Sequence, residues 1–91
     1  MAIVVEFYGI PRARAGVQQT QVLDGRESAS LREILTEVAA HYPDFGANCV
    51  NDGKLRDGFV ASVDGDEFIR DEDSRIASGQ SLLILSADAG G

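Results

Sequence analysis

The segment from residue 30 to residue 42 has the clearest helical pattern in the chain, and it restricts the fold more than any other feature. Ser30 and Glu33 have the Ser-x-x-Glu spacing of a capping box, which marks the first turn of a helix. Pro43 predicts that the helix ends at Tyr42. A single apolar stripe, which we expect to pack on a sheet, follows at helical spacing: Leu31, Ile34, Leu35, Val38, Ala39 and Tyr42.

Apolar and β-branched segments before and after this helix predict the strands of that sheet, at residues 2–8, 17–23, 59–63, 67–70 and 81–85. The second is mostly polar, so we expect it near an edge. Asp64-Gly65 between the third and fourth is a hairpin signal. The last is continuously apolar, which is typical of a central strand buried on both faces. Segments with turn-forming residues are predicted as loops or turns, at 9–16, 44–58 and 76–80.

The predicted order is strand, strand, helix, strand, strand, strand, which is typical of an α+β domain with one sheet and one helical layer. The first and last strands are apolar on both faces, so we expect them to be central neighbours. Because their connection contains the helix, they would run parallel. This is the β-grasp arrangement of ubiquitin, a mixed sheet of four to five strands on one main helix. We assign residues 1–85 to this domain and residues 86–91 to a flexible tail.

Charge and cysteine content narrow the classes of partner and compartment. Fifteen acidic and eight basic residues give a net charge of −7, which argues against nucleic acids and anionic membranes as partners. The charge serves solubility or, alternatively, a partner with a basic docking surface. Cys49 is the one cysteine, so no internal disulfide can form. With no signal peptide or membrane-spanning run visible, we expect a cytoplasmic protein.

Motifs for catalysis and cofactor binding are absent from the sequence. It contains no P-loop, no Gly-rich dinucleotide turn and no Gly-x-Ser-x-Gly element. No spacing of Cys, His or carboxylates predicts a metal site. Cys49 either packs in the core or, with an activating base nearby, acts as a nucleophile, and the sequence leaves its role open. We therefore predict that the chain is not an enzyme, has no catalytic residue and holds no cofactor.

The group that remains for chemistry is the carboxylate of Gly91. Residues 86–91 reach at most about 20 Å when extended, at roughly 3.3 Å each, which is enough to enter a cleft of another protein. Gly90 and Gly91 have no side chains and pass through a narrow slot. Transfer of AMP from ATP would turn the carboxylate into a mixed anhydride, which a sulfur donor, a thiol or an amine could attack. A frayed chain end is the alternative interpretation.

Three sequence segments carry a family resemblance: the helix SLREILTEVAAHYP, the hairpin FVASVDGDE and the closing GQSLLILSADAGG. Together they resemble the ubiquitin-like sulfur carriers of the ThiS/MoaD group over the whole chain. The C-terminal third is similar to the longer carriers of about this length, including the cysteine-biosynthesis type. One departure concerns the approach to the tail, which is Pro-rich or wholly apolar in many members. Here it is Ser86-Ala87-Asp88, so a partner's slot must accept Asp88.

The resemblance implies that the chain is a sulfur carrier and not a catalyst. Gly91 would be adenylated by an ATP-dependent E1-like enzyme, and a sulfurtransferase or other sulfide source would convert it to a thiocarboxylate. Ala89, Gly90 and Gly91 would enter the partner's active site. Leu85 and Asp88 would contact the partner, with ordinary core packing as the alternative for Leu85.

The final acceptor of the sulfur would be a synthase acting on a molybdopterin precursor, a thiazole precursor or an activated serine derivative, depending on the subfamily. Two other functions stay open. The chain could be a protein modifier joined to lysines through Gly91, or a β-grasp binding module in which the Gly-Gly end has no role.

Overall fold

The computed structural model describes residues 2–87, and these form one five-stranded mixed sheet with the longest helix on one face. The elements in chain order are β1 (Ile3–Phe7), α1 (Ile10–Ala15), β2 (Gln19–Val22), β3 (Ser28–Ser30), α2 (Leu31–His41), α3 (Pro43–Cys49), β4 (Val50–Asn51), β5 (Lys54–Leu55), β6 (Phe59–Val63), β7 (Glu67–Ile69), β8 (Arg75–Ala77) and β9 (Ser81–Ser86).

The strand order in the main sheet is β2-β1-β9-β6-β7. The first and last strands, β1 and β9, are parallel neighbours, and the other neighbouring pairs of this sheet are antiparallel. The mostly polar strand β2 lies at an edge. The predicted α+β, β-grasp fold is therefore confirmed, with its mixed sheet, its main helix α2 and its parallel central pair.

The core forms between α2 and one face of the sheet. The helix buries four residues of its predicted stripe, and Ala39 and Tyr42 pack against them at the edge of the core. Each such apolar side chain contributes about 1.5–3 kcal/mol when fully buried. The sheet contributes alternate residues of its central strands, which are fully buried: Ile3, Val5 and Phe7 of β1, and Leu82 and Ile84 of β9.

The N-terminus of α2 has both hydrogen bonds of the predicted capping box. The Glu33 amide donates to Ser30 Oγ at 3.1 Å, and the Ser30 amide donates to Glu33 Oε1 at 2.9 Å. Arg26 Nη2 lies 3.0 Å from Glu33 Oε2. The hydrogen bond from the Ser30 backbone, followed by the one from Arg26, lowers the pKa of Glu33 to about 2.

We expect the Glu33→Gln variant to be less stable than the parent at neutral pH, and this difference to disappear in acid. Because the folded-state pKa is depressed, ionised Glu33 stabilises the fold above its ordinary value of 4.5, and this contribution is lost as the pH falls toward about 2. Urea unfolding between pH 7 and pH 2 measures the difference. Glu67→Gln, on the exposed strand β7, is the matched control, and a difference for Glu33→Gln that does not change with pH would contradict the prediction.

Three segments predicted as loops or turns contain regular structure, so those predictions were wrong. Residues 9–16 include α1, residues 44–58 include most of α3 together with β4 and β5, and residues 76–80 begin inside β8, which pairs with β3. The elements are too short for an apolar period to be visible. In α1 the Gly and Pro residues that suggested a loop mark the helix ends, because Pro11 lies in the first turn and Gly16 is the left-handed C-cap.

Helix α3 extends the core through Phe45 and Cys49, both fully buried. The Phe45 ring packs edge-to-face on Phe7, with 5.2 Å between ring centroids. A Cβ atom at Gly46 would lie 2.9 Å from the Ala39 Cβ atom, so glycine is required where α3 crosses α2. Burial raises the pKa of the Cys49 thiol, which disfavours the thiolate form needed by a nucleophile. The packing alternative for Cys49 is therefore the one that the fold supports.

The second face of the sheet, here called the open face, is left partly exposed. Burial along β9 alternates, so Leu82 and Ile84 are buried while Leu83 and Leu85 are only partly buried. The prediction that the last strand is buried on both faces was wrong. The strand is central in the sheet, but the α2 layer packs on one side only, and an apolar run cannot reveal whether a second layer exists.

Candidate functional site

The final strand leads directly to the predicted reactive end of the chain. Strand β9 extends to Ser86, and the Ala87 amide donates to the Gly58 carbonyl at 2.7 Å, so pairing with the β6 side continues one residue beyond the strand. We call Ser86 and Ala87 the tail root. Asp88, Ala89, Gly90 and Gly91, the predicted tail residues, lie outside the described residues.

On the β1 side, the tail root is bordered by the connection between β1 and α1. The Tyr8 amide donates to the Ile84 carbonyl at 3.0 Å, and Gly9, with φ of 62°, turns the chain away from β9 into α1. Arg12 Nε donates to the Phe7 carbonyl at 3.0 Å, and its guanidinium lies 5.4 Å from the Tyr8 ring centroid. The exposed side chains here, Tyr8 and Ile10, form a small apolar shoulder beside the tail root.

On the β6 side, a groove of about 330 Å³ opens against Ala87. We call it the tail-root groove. Its apolar part is formed by Leu31, Leu55, Phe59, Val60 and Ile69, and its charged part by Lys54, Arg56, Asp57, Arg70 and Glu72. Three of the eight basic residues of the chain therefore border this groove. The groove next to Ala87 therefore has more basic than acidic residues, although the whole chain is acidic. Sequence composition could not indicate this local difference in charge.

The charged residues of the groove differ in their partners. Glu72 accepts from Arg32 at 2.8 Å and lies 3.3 Å from Lys54 Nζ, and these hydrogen bonds, Arg32 first, lower the pKa of the Glu72 carboxyl. Arg56 and Arg70 make no side-chain ion pair or hydrogen bond with any residue of the 2–87 range. Two guanidinium groups beside the tail root thus have no counter-charge within the described fold.

An apolar patch on the open face runs up to the tail root. Leu85 lies opposite Val60 of β6, and Leu83 lies opposite Ser62, which in turn lies opposite Phe68 of β7. Phe68 is 65% exposed. We call Val60, Phe68, Leu83 and Leu85 the open-face patch. Phe68 is exposed, and Val60, Leu83 and Leu85 are partly buried. Large exposed apolar patches mark interaction sites, and Leu85 lies beside this one and is not part of the buried core.

The sequence predicted neither a metal site nor a membrane-spanning segment. Residues 2–87 contain no group of three or more His, Cys, Asp or Glu side chains placed to hold a metal ion. Within the same range, no helix has the length and apolar character needed to cross a membrane.

Three residues near the tail root were not identified from the sequence, namely Arg56, Arg70 and Phe68. The two arginines are distant in sequence and line the same groove because the β6–β7 hairpin ends beside the segment that follows β5. A signal for Phe68 did exist. Strand periodicity places Phe68 and Ile69 on opposite faces of a short hairpin strand, so one of these two large apolar side chains had to face away from the core.

Comparison with known proteins gives matches among solved structures only. No protein-family model matches this chain, and no curated protein sequence matches it significantly. SAMP1 from Haloferax volcanii aligns with a TM-score of 0.78 and 20% identity over 100% of both chains. A chain of the Amycolatopsis orientalis BexX/CysO complex aligns with a TM-score of 0.72 and 27% identity, covering 99% of this chain and 100% of that one.

A third structure is the putative molybdopterin converting factor, subunit 1, from Pyrococcus furiosus, with a TM-score of 0.71 and 18% identity over 94% of this chain and 97% of that one. These structural neighbours are ubiquitin-like proteins of the ThiS/MoaD sulfur-carrier type, and the CysO type is among them. The resemblance inferred from the sequence is confirmed.

Proposed function

We propose that this chain, which resembles the ThiS/MoaD-type carriers, is a sulfur carrier protein whose Gly91 carboxylate is adenylated by an E1-like enzyme and converted to a thiocarboxylate. One observation carries the proposal. The central strand β9 of a carrier-like β-grasp domain leads through the tail root, where Ala87 is exposed, into a sequence that ends Ala-Gly-Gly. The structural neighbours are small carrier proteins and not catalysts, which supports a role as co-substrate.

The chemistry follows from the low reactivity of a carboxylate. An oxygen of the Gly91 carboxylate attacks the α-phosphorus of ATP, pyrophosphate leaves, and an acyl adenylate forms. Hydrosulfide delivered by the sulfide source then attacks the acyl carbon, AMP leaves with the oxygen that made the attack, and the S–H proton is lost to solvent. The product is the thiocarboxylate –C(O)S⁻, with no change in the oxidation state of carbon. Glycines at the end of the tail leave the acyl carbon accessible in a narrow active site.

Three partners are required by this sequence of steps: the E1-like enzyme that supplies ATP chemistry, a sulfurtransferase or other sulfide source, and a synthase that accepts the sulfur. The CysO-containing neighbour was crystallised as a complex with BexX. We infer that this chain likewise binds enzymes of a sulfur-transfer pathway, which we place in the cytoplasm. The docking surface would be the open-face patch together with the tail root, because the patch leads straight to the point where the tail begins.

Leu85 is the residue of this surface for which we expect the largest effect. We expect Leu85→Ser to weaken the complex with the E1-like enzyme at least about tenfold, since apolar residues at the centre of an interface dominate its affinity. Calorimetric titration measures the dissociation constant, and urea unfolding checks that the variant is folded. Gln21→Ser on the open face of β2 is the matched control. Equal affinity of Leu85→Ser and the parent would remove Leu85 from the interface.

The test of the function is intact-mass spectrometry of the protein produced together with the E1-like enzyme and a sulfide source. We expect a mass gain equal to the replacement of one oxygen by one sulfur, located in the C-terminal peptide. Modification at another residue, or no modification despite binding, would reject the carrier assignment. A ladder of conjugates on other proteins that requires Gly91 would favour the protein modifier. Full function of a chain that lacks Gly90 and Gly91 would favour the binding module.

Structural similarity does not distinguish among the possible acceptors of the sulfur, because the neighbours include both a molybdopterin converting factor subunit and CysO. Any acceptor must present a carbon atom that the thiocarboxylate sulfur can attack. Incubating the thiocarboxylate form with the synthase for a molybdopterin precursor, a thiazole precursor or an activated serine derivative distinguishes the three, since only the matching synthase and its substrate consume the thiocarboxylate.

A further inference from the structure

The arginines that border the tail root differ from the other basic residues of the chain in their lack of an ion pair. Of the eight basic residues, five form ion pairs within residues 2–87: Arg14, Arg26, Arg32, Lys54 and Arg75. The other three have none within that range, and we call them the tail-root arginines: Arg12, Arg56 and Arg70. All three are exposed, so they are available to another molecule.

The tail-root arginines lie on both sides of the end of β9. On the β1 side, Arg12 Nε donates to the carbonyl of Phe7, a residue that pairs with β9. This bond uses only one of the guanidinium N–H groups and leaves the others for a further acceptor. On the β6 side, Arg56 and Arg70 line the tail-root groove together with Ala87. A ligand that surrounds the tail root therefore meets a guanidinium group on each side.

The acidic residues nearby do not pair with these guanidinium groups. Glu72 is held by the two ion pairs already described. Glu6 accepts from the Tyr8 hydroxyl at 2.6 Å. Asp57 borders the groove but forms no ion pair within the part of the chain that the structure describes. The surface around the tail root thus offers cations for anionic groups of a partner, whereas the chain as a whole has a net charge of −7.

Carboxylates of a protein are the anions that fit this surface best. Guanidinium groups bind carboxylates and phosphates alike, but the phosphates of ATP must lie at Gly91. Residues 87–91 span at most about 17 Å when extended through a slot, at roughly 3.3 Å each, which places the nucleotide away from the tail root. Nucleic acid is disfavoured by the net charge. The groove also has apolar lining residues that suit a protein segment: Leu55, Phe59 and Ile69.

We propose that the tail-root arginines bind carboxylates at the entrance of the active site of the E1-like enzyme, each guanidinium group with its own carboxylate. The inference rests on the proposed function, because it takes the activating enzyme as the partner. An acidic entrance repels the other, acidic surfaces of this chain and attracts the tail root, so the tail arrives first. The charged contacts set the approach and the orientation, and the open-face patch supplies the apolar contact area.

Carbodiimide cross-linking tests the contact directly, because it joins a lysine amine to a carboxylate at ion-pair distance as an amide, with loss of water. The chain contains one lysine, Lys54, so the background is low. We expect Arg56→Lys and Arg70→Lys each to give a new cross-link to an Asp or Glu of the E1-like enzyme, identified by mass spectrometry of the digested complex. Arg14→Lys is the matched control and should give none, since Arg14 pairs with Asp44 at 3.7 Å.

The double variant Arg56→Gln/Arg70→Gln should bind the enzyme at least about tenfold more weakly at low salt, mainly through a slower association rate. In about 1 M NaCl, where the screening length is about 3 Å, the variant and the parent should bind about equally. Arg14→Gln makes the same change of charge at a residue with an ion pair, and should keep the parent affinity. Stopped-flow mixing measures the rates, and urea unfolding checks the fold.

Cross-links from the introduced lysines to Asp88, to the Gly91 carboxylate or to a second copy of the chain, in place of the enzyme, would overturn the proposal. Parent affinity of the Arg56→Gln/Arg70→Gln variant at low salt would overturn it as well. Both results leave the proposed function intact, because pyrophosphate exchange measures the activation of Gly91 separately. If the cross-links to the enzyme form while Gly91 is not activated, the proposed function fails and the contact stands.

Discussion

A chain that lacks Gly91 is expected to lose activation by the E1-like enzyme at least about a hundredfold while keeping its stability. Deletion moves the terminal carboxylate back by one residue, roughly 3.3 Å along an extended chain. Displacement of a reacting group by about 1 Å can already cost a hundredfold in rate. The rate of pyrophosphate exchange with ATP measures the first step directly, and intact mass measures the thiocarboxylate.

Comparing the unfolding stability of the deleted chain with that of the parent shows whether a loss of activation comes from the missing residue or from loss of the fold. The twelve elements that the structure describes lie within residues 2–87, so we expect the deletion of Gly91 to leave the urea midpoint unchanged. A chain extended by one glycine after Gly91 is the complementary control, since it keeps every residue and displaces the carboxylate in the other direction. If the deleted chain exchanged pyrophosphate at the parent rate, the reacting group could not be the Gly91 carboxylate.

The largest expected effect on stability is that of Phe45→Ala. The Phe45 side chain is fully buried on α3 and packs edge-to-face on Phe7, with 5.2 Å between ring centroids. Replacing a buried Phe by Ala costs about 3–5 kcal/mol, which is a large fraction of the about 5–15 kcal/mol that holds a typical domain folded. We therefore expect the urea midpoint to fall steeply and α3 to detach from the sheet.

Phe68→Ala is the matched control, because it removes the same side chain from a position that is 65% exposed on β7. We expect its free energy of unfolding to stay within about 0.5 kcal/mol of the parent. A loss for Phe45→Ala as small as that expected for Phe68→Ala would mean that the Phe45 side chain contributes no packing energy. The pair also separates fold from function, since Phe68 belongs to the open-face patch and its loss should weaken partner binding instead.

The parts of the fold that local pattern specifies were predictable. The stripe of α2 has enough turns to show a helical period, and the capping box at Ser30 and Glu33 marks its start with two specific side chains. The parallel pairing of β1 and β9 followed because both strands were apolar and a helix lay between them. Helix α3 was missed because seven residues that include Pro43 and Gly46 carry more turn signals than periodicity.

The candidate site likewise has features that consecutive residues indicate and features that only the fold creates. The Gly-Gly end could be proposed from the sequence, because the tail chemistry depends on residues that are consecutive, and the contact role of Leu85 was implied by the family resemblance; both stay predictions. The tail-root groove could not be predicted, since Arg56 and Arg70 line one groove only through the hairpin between β6 and β7. Nor could the open face, because the apolar run of β9 looks the same whether one face of the strand is covered or both.

The parallel pair of β1 and β9 has a consequence for the order of events during synthesis. Of the strands in residues 2–87, the sheet centre joins the first to the last, in the register Val5 with Leu82 and Phe7 with Ile84. Contacts between segments so distant in sequence form late and slow the folding of a domain. A nascent chain therefore cannot complete its sheet until β9 has been synthesised and has left the ribosome. We expect that ribosome-bound intermediates expose the α2 stripe to chaperones, and that the surface formed by β9 appears only when this last pairing is made.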